Sequence, residues 1–206
     1  MSKVFISSDH HFSHSNIAKF CPWSRGEFIK DDKTDLDSMH RAIIERHNAM
    51  VSDDDLTYLL GDFAFCKPDQ AMKFMMRLNG KKILIHGNHD RKLVASNEFR
   101  DSSIRRMAGL IEDTPYKMIS HKHPGSGANY GIALFHFPIS EWDGCHRGSL
   151  HCYGHQHGGG ATSPFRCMDI GLDTNDLKPY DMDEVVRVLS AKKVYESGHH
   201  TAAKME

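Results

Sequence analysis

No stretch of this 206-residue chain approaches the roughly 20 consecutive apolar residues that a membrane span needs. Nor does the N-terminus, MSKVFISSDHH, carry the layout of a secretory signal, so the expected location is the cytoplasm. Cysteine is sparse: Cys21, Cys66, Cys145, Cys152 and Cys167 are odd in number, scattered and free of any CxxC pair. That speaks against a disulfide framework and a thiolate zinc site, and five reduced thiols are expected. Net charge is also missing, at -1, so no basic field gathers nucleic acid. Internal repeats and low-complexity segments are absent. With 39% hydrophobic and 26% charged residues the chain reads as an ordinary globular domain, long enough to bury a core unaided.

What the sequence has in excess is histidine, 16 in all, and their placement decides their meaning. Short apolar runs alternate with amphipathic stretches, which points to an α/β or α+β fold. Strands are expected at residues 3–8, 56–60 and 82–86, and then, in a more β-rich half, at 116–120, 131–136, 149–153 and 166–170. Helices are expected at 34–50, 68–78 and 181–190. The first has Thr34 and Asp37 in capping-box positions and an apolar face of Leu36, Met39, Ile43 and Met50; the last has Asp181 and Glu184. Residues 121–127 read as a hairpin turn. The whole reads as two sheets with helices outside, in one domain over residues 1–190, followed by a mobile tail at 191–206.

Five polar clusters fall where an expected strand gives way to a loop. They are Asp9-His10-His11, Gly61-Asp62, Gly87-Asn88-His89-Asp90, His136, and Gly154-His155-Gln156-His157. Strand C-terminal ends are where α/β folds place ligands, and short loops there aim side chains into a shared cleft from a rigid base. Imidazole nitrogens and carboxylate oxygens without thiolate suit Mn, Fe, Ni, Co or Zn, and the two oxygens of Asp62 allow it to bridge two ions. Any single cluster is more often a capped loop, a turn or a polar loop than a site. Five in order, each behind an apolar strand, form a pattern that chance does not readily make.

Together these blocks resemble the calcineurin-like metallophosphoesterase superfamily, whose signature runs D-x-H, GD, GNH[DE], H, GHxH. The match covers about residues 3–158, with DHH at Asp9 to His11, GDF at Gly61 to Phe63, GNHD at Gly87 to Asp90, His136 in FHFP and GHQH at Gly154 to His157. A finer resemblance is to its small single-domain bacterial and phage branch, carried by Asp9, His11, Phe12, His14, Asn16 and Ile17 and by the LGDFAF and LNGKKILIHGNHD stretches. The resemblance implies a four-layer α-β-β-α sandwich with the site along one edge. It implies one ion held by Asp9, His11, Asp62 and His157, and a second by Asp62, Asn88, His136 and His155. His89 would stand beside the substrate phosphate, with Asp90 orienting it or supporting its loop. Where the protein Ser/Thr phosphatase branch has Asp-Arg-Gly after its GD, this chain has Phe63-Ala64-Phe65-Cys66-Lys67, and Asp90 replaces a Glu; both speak against that branch.

The expectation is therefore a metal-dependent phosphohydrolase with two divalent ions, manganese foremost, acting on small, nucleotide-like phosphodiesters. His14 at the edge, Arg25 with Trp23 at a rim, and Arg91 after GNHD are candidate substrate contacts, while His10 faces away. The competing readings are a phosphomonoesterase, a nuclease, which would want a basic aromatic groove, and a non-catalytic docking scaffold.

Overall fold

The computed structural model describes residues 2–160 and 162–196. Its strands are β1 (Val4–Ser7), the short hairpin β2 (Ile29–Lys30) and β3 (Lys33–Thr34), β4 (Leu56–Leu59), β5 (Lys81–Ile85) and β6 (Leu110–Thr114). The second half contributes β7 (Lys117–Lys122), β8 (Asn129–Leu134), β9 (Leu150–Tyr153), β10 (Cys167–Asp169) and β11 (Tyr180–Asp181). Apart from the β2–β3 hairpin, they form two mixed sheets flanked by helices, an α/β fold of the α+β kind. The first has the order β11-β1-β4-β5-β6, with β1, β4, β5 and β6 parallel and β11 antiparallel to β1. The second runs β10-β9-β8-β7, parallel except for the β7–β8 pair.

Alternate residues explain the layering, because successive side chains on a strand point to opposite faces. Ile6, Tyr58, Leu60, Ile83 and Ile85 of the first sheet's strands and their ends meet Ile132, Leu134, Leu150 and Cys152 of the second in one core. The helix Met182–Ser190 completes that core with Met182, Val185, Val186 and Leu189. On the other face of the first sheet, Leu59, Leu84 and Leu110 pack under helices Leu36–Asn48 and Pro68–Arg77. Over the second sheet, the covering layer is thinner: Trp142, the 3₁₀ turn Cys145–Arg147 and Phe165 lie against Ala133, Tyr153 and Cys167.

Several details differ from expectation. Asp35, not Thr34, caps the helix Leu36–Asn48, accepting from the Ser38 backbone N–H at 3.1 Å, and Met50 lies beyond its end, 36% exposed. Strand β6 carries Glu112 and Asp113 on a sheet edge, so its polar composition hid it. Strand β7 runs on to Lys122, and the turn closes between His123 and Ala128. The chain expected to trail off from 191 is tied down as far as Tyr195: Lys192 Nζ donates to the Cys167 carbonyl at 2.7 Å, and Tyr195 packs on Trp142 and Phe165. Residues 197–206 of that expected tail lie outside the described residues.

Two buried histidines that belong to neither donor cluster, His47 and His151, set an acid limit on stability. Burial pushes both the His47 and the His151 imidazoles down to about 4, against backbone acceptors at Asn79 and Ala133 that favour the proton. The unfolded chain protonates them near pH 6.5, so it binds more protons, and stability falls as pH drops from about 6.5 towards 4. The slope is up to about 1.4 kcal/mol per pH unit for each residue. Urea unfolding of the metal-free protein between pH 7 and 4.5 is expected to show it, and His151→Phe is expected to flatten it by about one proton. An unchanged slope in that variant counts against the assignment.

Candidate metal centre

The five strand-end clusters arrive at one edge of the sandwich because the loops carrying them are laced together. The segment after β1 runs beside that after β4, with Asp9 N–H donating to Gly61 O at 3.1 Å, His11 N–H to Asp62 O at 3.0 Å and Phe12 N–H to Phe63 O at 3.0 Å. Gly61 and Gly87 lie so close that a Cβ on either would overlap the other loop's backbone. Gly154 is equally constrained, since its Cβ would run into Ser8 Oγ and Asp9 Oδ2. The chain turns so sharply here that Asp9, His11, Asp62, His155 and His157 take φ of 58°, 51°, 50°, 70° and 50°. Side chains other than glycine rarely enter this left-handed region, which costs of order 1–3 kcal/mol per residue and persists only where the surroundings enforce it.

Two donor groups result. In the first, Asp9 Oδ1, His11 Nε2 and His157 Nε2 form a triangle with sides of 3.6, 3.8 and 3.2 Å. The circle through those atoms has a radius of about 2.1 Å, matching the 2.0–2.2 Å of nitrogen and oxygen bonds to a divalent ion. Asp9 Oδ2 accepts the His155 backbone N–H at 2.9 Å, while Oδ1 is buried with no hydrogen-bond partner among the described residues. A buried carboxylate oxygen so placed fits a cation. In the second group, Asp62 gathers with His136 and His155, with Asp62 Oδ2 3.4 Å from His136 Nε2 and Asn88 Oδ1 3.0 Å from the same nitrogen. His136 Nδ1 lies 2.6 Å from Leu60 O, so it carries a proton and its Nε2 edge is presented to the carboxylate. Asp62 Oδ2 is also 3.9 Å from His11 Nε2, which puts one oxygen between the two groups.

Burial alone would raise the Asp9 carboxyl, but His11 above all, with His157 and His136, holds it at about 2. Burial likewise opposes charge on His157, yet the Asp173 carboxylate bonded to it, with Cys21 and Asp9 nearby, lifts it to about 10. His136 is raised by Asp62 in the same way, and Asp62 is lowered by His136 against its burial. The site thus pairs ionised carboxylates with imidazoles whose protons a bound cation would displace.

The remaining expected residues sort differently. His89 is exposed, with its Nε2 3.9 Å from Asp62 Oδ2, and it lines a cavity with Phe65, Asn88, Arg91 and Lys92. Asp90 does not touch the cleft: it is buried, and it accepts from the backbone N–H groups of Asp62, Phe63 and Gly87 at 2.9, 3.0 and 2.8 Å. It therefore supports the loops, the second of the two roles expected of it. His14 stands at the edge, its ring 5.5 Å from His11 and 4.2 Å from Phe65. Arg25, expected at a rim, is instead 0% exposed and paired with Asp173, while Trp23 is 62% exposed. His10 turns away from both donor groups into the core, packed on Phe12 and Phe63. Asp173, absent from the sequence reading, accepts from His157 Nδ1 at 2.7 Å. Cys21 also comes close to His157 and Asp173, a nearness its position in the sequence did not announce.

No known family profile matches the chain. It is 27% identical over 204 residues to an uncharacterized protein of Methanocaldococcus jannaschii, covering 94% of this chain and 95% of that one. It is 27% identical over 205 residues to the Gene 66 protein of Mycobacterium phage D29, covering 90% and 94%. Among solved structures it is similar to a protein of unknown function from Aquifex aeolicus, with a TM-score of 0.63 and 22% identity over 91% of this chain and all of the other. That likeness shows the fold.

Proposed function

We propose that this chain is a metal-dependent phosphohydrolase of the calcineurin-like kind, acting on small phosphodiesters such as nucleotide derivatives. The observation that carries the reading is the position of Asp62 Oδ2, 3.4 Å from His136 Nε2 in one donor group and 3.9 Å from His11 Nε2 in the other. Asp9, His11, His157 and Asp62 would hold one ion, and Asp62, Asn88, His136 and His155 the second. Two such ions, when bound, acidify a water and offset charge on phosphate oxygens. The mixed oxygen and nitrogen donors favour manganese, with Fe, Ni, Co and Zn as relatives in ligand taste. A docking scaffold has no use for a buried carboxylate oxygen aimed at two imidazoles. Among the described residues no helix is long and apolar enough to cross a membrane.

The chain's own residues then divide the remaining work. His89 reaches the cavity and donates a proton to the leaving oxygen. Phe65, in contact with the rings of His89 and His14 at 4.4 and 4.2 Å, forms an aromatic wall that leads outwards through His14 to the exposed Phe20. Such a wall suits the flat face of a nucleobase.

A diester is preferred over a monoester because the cleft holds little fixed positive charge. A monoester near neutral pH carries close to two negative charges and wants a forked arginine. The segment after Asp62 offers Phe63, Ala64 and Phe65 instead, and Arg25 is spent on Asp173, which leaves Arg91 and Lys92 at the cavity mouth. Chelator-stripped protein is expected to be inactive and to recover with Mn²⁺ better than with Mg²⁺ or Ca²⁺, which prefer all-oxygen shells. With Mn²⁺ saturating, kcat/KM for bis(p-nitrophenyl) phosphate is expected to exceed that for p-nitrophenyl phosphate by about tenfold, or ~1.4 kcal/mol. Full activity in chelator sinks the metal reading; an excess for the monoester, lost in Arg91→Ala, sinks the diester preference alone.

A further inference from the structure

Among the described residues Arg25 heads the fully buried side chains by volume, and it lies directly behind the first donor group. Its Nε donates to Asp173 Oδ1 at 2.7 Å and its Nη2 to Asp173 Oδ2 at 3.0 Å, a forked pair with neither partner exposed. Ser24 Oγ donates to Asp173 as well. The other lone pair of Asp173 Oδ2 meets His157 Nδ1 at 2.7 Å. Removing two charges from water is expensive, and a buried pair is tolerated when every remaining donor and acceptor is satisfied, as these are.

The destinations of the other guanidinium N–H groups tell what the pair is for. Nη2 also donates to the carbonyl of Asp9 at 2.7 Å, and Nη1 to that of His10 at 3.0 Å. Those carbonyls belong to the turn in which Asp9 and His11 are held at φ 58° and 51°. One buried ion pair therefore grips the backbone that aims Asp9 and His11 and, through Asp173, the ring of His157. With Nδ1 bonded to Asp173, His157 turns Nε2 towards Asp9 Oδ1 and His11 Nε2. A brace needed only to fasten the loop at residues 21–25 has no reason to end on that ring.

We propose that Arg25 and Asp173 are positioning residues that pre-assemble Asp9, His11 and His157 for one of the two cations, while making no direct hydrogen bond to Asp62, His136 or His155 among the described residues. The inference rests on the metal-centre reading above. The donor pattern makes Asp173→Asn diagnostic. An amide has one acceptor oxygen, yet both carboxylate oxygens accept here: Oδ1 from Arg25 and Ser24, Oδ2 from Arg25 and His157. If the NH₂ takes the Oδ2 place, it confronts His157 Nδ1 and drives the ring proton to Nε2, where it blocks a ligand lone pair. If it takes the Oδ1 place, it opposes Arg25 Nε.

Mn²⁺ binding, measured by equilibrium dialysis and calorimetry on the full chain, reads the outcome without turnover. The wild-type protein is expected to bind two ions. Asp173→Asn is expected to lose about 10–100-fold in affinity for one ion and keep the other at wild-type strength. In a His136→Ala background, which weakens the second group, Asp173→Asn is expected to strip the remaining ion. Arg25→Lys keeps the charge but not the fork and is expected to repeat the one-ion loss. Unchanged binding of both ions overturns the proposal, and equal loss of both reduces the pair to a structural brace and overturns it too. Failure of Asp173→Asn to fold, together with two normal ions in Arg25→Lys, has the same consequence. A wild-type protein that binds no Mn²⁺ sinks the metal-centre reading itself, a separate result.

Discussion

Asp62→Asn is expected to lower affinity for both ions and to abolish nearly all turnover, although it changes one atom. Asp62 Oδ1 accepts the His89 backbone N–H at 2.9 Å, while Oδ2 faces His136, His11 and His89. An asparagine must keep its oxygen on the His89 N–H, because two opposed donors in a buried site are costly. Its NH₂ then points between the two donor groups, where a cation would have to sit. The negative charge goes with it, leaving Asp9 as the sole carboxylate among the proposed ligands. Losing an outer-shell partner costs about 10–100-fold in metal affinity, and losing a shared ligand is expected to cost more, at both sites. Metal analysis after dialysis against Mn²⁺ and turnover of bis(p-nitrophenyl) phosphate decide it. Two tightly held ions with near-normal turnover overturn the bridging assignment.

Why these residues were legible in the sequence follows from how strands work. A strand's C-terminal end is short, apolar before and polar after, so β1, β4, β5, β8 and β9 each announce the ligand that follows: Asp9, Asp62, Asn88, His136 and His155. The central strands of the first sheet were readable for a related reason, since Ile6, Leu59 and Ile83 sit in short apolar runs buried on both faces of the sheet. Position along the chain says nothing, however, about which long-range partner a side chain meets. Arg25 and Asp173 are 148 residues apart, and each alone reads as a surface charge. Asp173 lies four residues beyond β10, inside the turn Leu172–Thr174, and outside the span of the family resemblance, so the strand-end rule did not reach it. For Asp90, position left two roles open, orienting His89 or supporting its loop, and only the three backbone N–H groups that its carboxylate accepts from favour the second.

His89→Ala is expected to reduce kcat by about 10²–10⁴-fold while leaving both ions in place. The two halves of that expectation rest on different atoms. What His89 gives Asp62 comes from its backbone N–H, which any residue supplies, so substitution leaves the shared carboxylate anchored. What it gives the cleft comes from its ring, exposed against Phe65 with its Nε2 3.9 Å from Asp62 Oδ2 and bordering the cavity with Arg91. A proton donor matters most where the departing oxygen is a poor leaving group. The deficit in His89→Ala is therefore expected to be small for a p-nitrophenyl diester, whose phenolate leaves unaided, and large for an alkyl or nucleoside diester. His89→Gln fills the same space and offers a hydrogen bond without a transferable proton, and it is expected to follow alanine on the poor leaving group. An equal deficit on both substrates would reassign His89 to charge stabilisation on the phosphate. Loss of an ion in either variant would make the ring a ligand, and the two donor groups would then have to be redrawn around it.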